Sequence, residues 1–242
     1  MTDIGPLPRP VPPASIRLMT WNIHGGIGPD GVFDLDRIAA LIEKHAPDLV
    51  ALQEVDTRGR GPQALARLHG IHGPSSGHRA EAHTITAEDG DYGNVLLSRW
   101  PLVRSARHDL SHANREPRMA IETVVDGPHG PLRLIAVHLG LAITERARQA
   151  RQLQSIAETA ETAPTVMLGD FNDWFFCGKV RRTMAKILPL RTRLATFPAA
   201  LPQLRLDRIY CARPLRLCAV WTDREARHCS DHLPVIADIS LR

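Results

Sequence analysis

The sequence predicts an α/β protein in which two packed β-sheets carry helices on their outer faces. Nine short runs rich in apolar and β-branched residues read as strands, at residues 17–23, 49–55, 94–100, 120–125, 132–139, 165–171, 206–211, 215–221 and 234–241. Only three stretches carry helical periodicity, at residues 35–45, 144–162 and 179–188. The strands arrive in groups with helices between the groups. That is too β-rich for a doubly wound parallel sheet and suits sheet-on-sheet packing.

The first 14 residues contain Asp3 and five prolines and read as an irregular tail, followed by one domain over residues 15–242. The tail lacks the apolar run of a secretion signal, so a cytoplasmic protein is expected. The strand at 17–23 ends in TWNIHG. In the helix at 35–45, Leu35, Ile38, Ala39, Leu41 and Ile42 share a face, and Asp34 is placed to cap it. DLVALQEVD supplies the next strand. Residues 57–87 read as a long polar loop rich in Gly and His. Strands at 94–100, 120–125 and 132–139 follow. The helix at 144–162 opens on Thr144 as a cap and shows Leu153 and Ile156 on one face. After the strand at 165–171, a short basic helix at 179–188 is stopped by Pro189. Three strands close the chain.

A chain of 242 residues can bury a core without disulfides, and 43% hydrophobic content is ordinary for a globular protein. No apolar run approaches the roughly 20 residues that span a bilayer. Cys177, Cys211, Cys218 and Cys229 form no CxxC pair, which excludes a zinc knuckle and leaves reduced thiols as the expectation. The formal charge is +4, carried almost wholly by Arg. In a chain so rich in Ala and Arg, that excess does not by itself identify a polyanionic partner.

Polar residues that bind metals or phosphate stand at strand ends. Asn22 ends one strand, Glu54 the next, and His138 a later one. Asp170 and Asn172 follow in GDFND, Asp207 opens LDRIY, and Asp231 and His232 precede the last strand. A rigid sheet presenting functional groups along one rim is how a site is built. Glu54, Asn22 and Asp231 form a hard-oxygen set suited to Mg²⁺ or Mn²⁺. Two histidines with acidic partners can bind phosphate oxygens and move protons, and Asp170 can hold an attacking water. Taken singly, each has a plainer reading. Asn22 would be a turn former, Asp207 beside Arg208 a surface ion pair, His138 a core histidine. Eight such residues at strand ends leave that reading little room.

TWNIHG, LQEV, YGNVLLSRWPL, VHL, GDFND, LDRIY and SDHLPV stand in the order found in the endonuclease/exonuclease/phosphatase superfamily, which this chain resembles over residues 17–241. GDFN followed by SDH is the specific pair. The resemblance implies a four-layer α/β/β/α sandwich of the DNase I type, with two mixed sheets. It implies a phosphoesterase dependent on Mg²⁺ or Mn²⁺, with Glu54 as principal metal ligand, helped by Asn22 and Asp231. Asp170 would orient or deprotonate the attacking water, and Asn172 would help fix it. Asp207 would orient His232, which would bind the scissile phosphate. His138 would bind phosphate or protonate the leaving oxygen, as in the DNase I and sphingomyelinase branches. Its acidic partner is sought among Glu81, Glu88, Asp89 and Asp91. Arg118, in NREPRMAIE, is favoured over Arg115 as a phosphate contact.

The expected activity is phosphodiester hydrolysis on nucleic acid or a small diester. The alternatives are a phospholipid or inositol-phosphate headgroup, reached by peripheral contact with an anionic membrane, and an inactive binding protein of the same fold. The complete residue set opposes the last, and no obligate protein partner is expected. Other patterns carry less. The GxGxxG match at residues 26–31 contains Pro29 and sits in a β-rich chain, which speaks against a nucleotide-binding loop. The GxSxG match at residues 73–77 has no strand before it. His69, His72, His78 and His83 fit no zinc spacing and read as solvated loop residues. Trp174, Phe175 and Phe176 read as core or as a wall of the site. Residues 179–193 carry six cations, which read as a polyanion contact or as the wet face of a helix.

Overall fold

The computed structural model describes residues 15–241 apart from 62, 74–76, 160 and 175–177. The proline-rich tail, the centre of the GxSxG match, Phe175, Phe176 and Cys177 lie outside the described residues.

Two six-stranded mixed sheets pack face to face. The first contains β1 (Ile16–Asn22), β2 (Leu49–Asp56), β3 (His78–Ala87), β4 (Gly90–Ser98), β11 (Arg216–Trp221) and β12 (Val235–Ser240), in the order β11-β12-β1-β2-β4-β3. The second contains β5 (Leu102–Asp109), β6 (Met119–Gly127), β7 (Gly130–His138), β8 (Thr165–Asp170), β9 (Leu190–Arg191) and β10 (Asp207–Cys211), in the order β5-β6-β7-β8-β10-β9. Each sheet has one parallel pair, β1 with β2 and β7 with β8. Four α-helices are described: α1 (Leu35–His45), α2 (Ala66–His69), α3 (Ile143–Ala157) and α4 (Lys179–Ile187). The packed sheets with outer helices agree with the expected architecture.

Alternation along the strands makes the layers. Leu18, Leu49 and Ala51 from the first sheet meet Leu134, Val166, Leu168 and Ile209 from the second in the core between the sheets. Their neighbours Met19, Trp21, Val50 and Leu52 face outward under Ile38 and Ile42 of α1. On the other side Ile135, Met167 and Tyr210 pack under Leu153 of α3 and Val180 and Met184 of α4. Period-two strands with both faces apolar become the middle layers of a sandwich.

Three strands escaped the sequence reading, for one reason. β3 and β5 are exposed edge strands rich in charge, and β9 has two residues. An edge strand with polar faces leaves no apolar alternation to read. The segment expected as a long loop therefore holds β3 and α2. The cap of α1 is as read: Asp34 accepts from the backbone N–H groups of Asp36 and Arg37 at 2.8 and 3.1 Å. The cap of α3 is not. Thr144 lies inside the helix, and Glu145 instead reaches back to the N–H of Ala142 at 3.3 Å. The helix also stops at Ala157, five residues short of the expectation. The GxGxxG match forms a turn closed by an Ile27–Phe33 bridge and an Asp30–Arg37 ion pair of 2.8 Å.

Gly169 brings β8 close to β7. Its φ is 148°, and a Cβ there would lie 1.9 Å from the carbonyl oxygen of Val137. Only glycine admits that approach, which sets Asp170 opposite His138 in the parallel register.

Candidate active site

Strand parity places most of the site. Asn22 continues the inward face of Leu18 and Thr20. His138 continues that of Leu134 and Ala136, and Asp170 that of Val166 and Leu168. Asp207 shares the inward face of β10 with Ile209 and pairs in register with Asp170. Where the inter-sheet core ends, these polar groups take over at one rim. The turn before β12 adds His232, whose backbone carbonyl accepts from Trp21 Nε1 at 2.9 Å.

Glu54 breaks the parity. Val50 and Leu52 face outward, so regular alternation would send Glu54 outward too. A register irregularity between Leu52 and Val55, with φ of 57° at Glu54, turns its carboxylate to the rim. Asn22 Nδ2 donates to Glu54 Oε1 at 2.8 Å and to Asp170 Oδ2 at 3.2 Å. The Asn22 Oδ1 accepts the backbone N–H of His24 at 3.0 Å. Asn22 therefore meets the acids as an orienting donor, and it offers a metal only its already engaged oxygen.

His232 Nδ1 lies 2.8 Å from Asp207 Oδ2, with Asp207 fully buried behind it. Burial opposes the imidazolium, but Asp207, Asp170 and Asp231 together raise its pKa to about 10. Asp170 is held above the ordinary carboxylate range, to about 7, by burial first and then by Asp207. The N–H of Asn172 donates to Asp170 Oδ1 at 2.8 Å, and Asn172 Nδ2 donates to the carbonyl of Leu139 at 2.9 Å. Asn172 takes a left-handed φ of 48°, which asparagine tolerates.

His138 is buried, and burial, Arg118 and His232 hold its pKa well below the ordinary value. Arg118 Nη1 lies 3.4 Å from His138 Nδ1. A guanidinium can only donate, so Nδ1 accepts and Nε2 carries the proton of the neutral ring. That Nε2 faces Glu54 and Asp170, each 3.8 Å away. The expected acid beside His138 is not among the four candidates; Arg118 takes the place, itself forked onto Glu116 at 2.8 and 3.0 Å. Glu81 is held by Arg79 at 2.8 Å, His83 at 3.1 Å and His69 at 3.3 Å. Two histidines expected to be solvated are therefore carboxylate-bound. His72 is pushed down to about 4 by burial and Arg99.

The cleft over these groups has a volume of about 520 Å³. Asn22, Glu54, Arg118, His138, Asp170, Asn172 and His232 line it. Asp207 stands behind His232. Asp231 lies outside the lining, 42% exposed at its side chain, and His24 Nδ1 bridges the gap at 3.6 Å from Asp231 and 3.8 Å from Glu54. Tyr92, Trp174, Phe197, Leu204 and Leu206 give the cleft apolar walls, and Phe197 packs on the His232 ring with centroids 4.8 Å apart. His24, Tyr92 and Glu116 were not read from the sequence, although His24 stands in TWNIHG and Glu116 two residues before Arg118. Ser230 was missed as well, and its hydroxyl donates to the carbonyl of Asn22 at 2.7 Å.

Among the described residues, one group brings its ligating atoms close enough to share a cation. Asp170, Asp207 and His232 offer atoms within 4.8 Å of one another. That trio is buried, and Asp207 engages His232 Nδ1 and leaves Nε2 facing Asp170 at 3.9 Å, so it suits proton handling. Glu54 and Asp231, the expected metal carboxylates, stand apart from that group and are more open, with His24 Nδ1 3.8 and 3.6 Å from them.

Residues 19–232 match the Endonuclease/Exonuclease/phosphatase family. The protein YbhP of Escherichia coli (strain K12) is 29% identical over 257 residues, covering 94% of this chain and 97% of its own. An endonuclease/exonuclease/phosphatase from Beutenbergia cavernae superposes with a TM-score of 0.77 at 26% identity, over 94% of this chain and 72% of that one. The mannosyl-6-phosphatase Bt3783 of Bacteroides thetaiotaomicron shares the fold with a TM-score of 0.72 at 15% identity, over 94% of this chain and all of that one. None of the described helices is long and apolar enough to cross a membrane.

Proposed function

The chain belongs to the endonuclease/exonuclease/phosphatase family, and from that premise we propose that it is a divalent-metal-dependent phosphodiesterase acting on nucleic acid or a small phosphodiester. The observation that carries this reading is the convergence of Glu54, His138, Asp170 and His232 on one cleft. Glu54 and Asp231, with His24 between them, would hold Mg²⁺ or Mn²⁺. When bound, such an ion offsets the charge that develops on the phosphoryl oxygens.

The chain's own groups then divide the work. The His232 imidazolium, oriented by Asp207, donates from Nε2 to a phosphoryl oxygen. Asp170 accepts a proton from the attacking water at the carboxylate that Asn172 and Asn22 hold in place. Neutral His138 donates from Nε2 toward a phosphoryl or leaving oxygen, with Arg118 fixing its tautomer. The aromatic walls exclude bulk water and strengthen these interactions.

A second reading, hydrolysis of a lipid headgroup, is favoured by Leu141 at the cleft and Ile143 beside it, 60% and 58% exposed. A panel with Mg²⁺ and with Mn²⁺ tests both: bis-p-nitrophenyl phosphate, plasmid, RNA, inositol phosphates and sphingomyelin vesicles. Metal-dependent turnover of a diester supports the proposal, and turnover of vesicles alone moves it to the second reading. No turnover of any ester overturns both.

A further inference from the structure

A second concave site of about 270 Å³ lies beside the cleft, and Trp174 and Leu204 line both. Arg181, Arg191, Arg193, Arg205 and Arg208 converge on it. They come from the first turn of α4, the end of β9 and the segment after it, the approach to β10, and β10 itself. Parity separates the two sites: Asp207 faces the catalytic rim, and Arg208, one residue on, faces the outer side toward α4. Arg193 and Arg205 are exposed at the mouth, Arg181 and Arg191 are half-buried, and Arg208 is buried at the floor, 6% exposed.

The floor is electrostatically incomplete. Arg208 Nε is buried with no hydrogen-bond partner among the described residues. The one lining carboxylate, Asp173, accepts the backbone N–H of Arg181 at 3.0 Å. A buried guanidinium crowded by other cations is costly unless an anion completes it. Burial leads in lowering the pKa of Arg208; Tyr210 and Asp173 raise it in part, and Arg191 and Arg181 lower it further. Arginine forks match phosphate oxygens in bidentate geometry.

We propose that this pocket is an anion subsite for a second phosphate group borne by the same substrate whose ester is hydrolysed in the adjoining cleft. The link to substrate rests on the phosphodiesterase reading. It narrows the substrate class to molecules with two phosphates, whether successive phosphates of a nucleic-acid strand or those of an inositol headgroup.

The direct test is calorimetric titration of inorganic pyrophosphate into the chain freed of divalent cations on a chelating resin. The Arg191→Gln/Arg205→Gln chain should bind at least about tenfold more weakly, because two charge-assisted forks are removed. Glu54→Gln and His232→Ala should each bind within about threefold of the unchanged chain, because neither touches the pocket. Unchanged affinity in the arginine variant, or a loss in His232→Ala instead, overturns the proposal. Circular dichroism checks that each variant folds.

The substrate link is read separately. The arginine variant should raise KM by about tenfold for a 5′-phosphorylated dinucleotide or a glycerophosphoinositol phosphate, relative to bis-p-nitrophenyl phosphate, with kcat held. The substrate that responds names the source of the phosphate. If both are hydrolysed with KM unmoved, the substrate link is overturned. Arginine-dependent pyrophosphate binding in a chain that hydrolyses no ester keeps the subsite and refutes the phosphodiesterase reading.

Discussion

Glu54 lies near the end of a strand whose alternation points it away from the cleft, and its φ of 57° reverses that. A non-glycine residue in the left-handed region costs of order 1–3 kcal/mol, which persists only where the surroundings hold it. Here Asn22 Nδ2 holds it at 2.8 Å. Glu54→Gln should keep the fold and lower Mg²⁺ affinity by at least about a hundredfold, since loss of even an outer-sphere partner costs 10–100-fold. Calorimetric Mg²⁺ binding measures this, and an unchanged Kd removes Glu54 from the metal site. His232 and Asp207 act as one unit through their 2.8 Å contact. Asp207→Asn and His232→Ala should each lower kcat severely, by about 10³ or more, with the double variant little worse than either. A double-mutant cycle with multiplicative losses would contradict the pairing.

At the scale of elements, β3 shows how an edge strand is held without an apolar stripe. Its Glu81 gathers Arg79 and His83 from β3 and His69 from the short α2. The His69 contact at 3.3 Å leads in pulling the Glu81 pKa down to about 2, burial opposes it, and Arg79 and His83 add to it. The folded pKa lies below the ordinary value of 4.5, so the contribution to stability is fully present above about pH 4.5. It is lost as pH falls from there toward 2. Glu81→Gln should therefore flatten the acid side of a plot of Tm against pH and leave the neutral side nearly parallel to the parent. A parent slope that survives in the variant would place the acid sensitivity elsewhere.

Across the whole molecule, the layers are joined by apolar contact and by a few buried polar bridges. Arg133, 1% exposed on β7, reaches Glu122 on β6 at 2.8 Å and the carbonyl of Ile156 in α3 at 2.6 Å. It also donates to Thr159 at 2.7 Å, just past that helix. One side chain thus ties the second sheet to its outer helix. Arg133→Ala would leave Glu122 with His108 at 2.7 Å and Arg104 at 3.7 Å but would empty a buried site and leave the Ile156 carbonyl without this donor, a loss of about 3 kcal/mol, the low end for breaking a buried pair. For a chain of this length that is a fall of roughly 10 °C in Tm. Turnover of bis-p-nitrophenyl phosphate by the protein still folded at lower temperature should be unaffected, since Arg133 lies far along β7 from His138.

What the sequence by itself determined is the part of the protein governed by local rules. Period-two apolar runs fixed the buried strands, Asp34 fixed the start of α1, and parity along β1, β7, β8 and β10 fixed which polar residues face the inter-sheet rim. The order of TWNIHG, LQEV, GDFND and SDHLPV carried the family and with it the sandwich. What only the tertiary structure decided depends on contacts between segments distant in the chain, or on a backbone angle that composition does not encode. The charged edge strands β3 and β5 exist because neighbours pair with them. Glu54 enters the cleft because a bulge turns it, His138 is partnered by Arg118 because two strands carry them together, and five arginines scattered over residues 181–208 become one pocket because β9, β10 and α4 meet at a sheet edge. Hydrophobic periodicity is a local signal, whereas the convergence of polar groups is set by strand register, and register is fixed only when the sheets form.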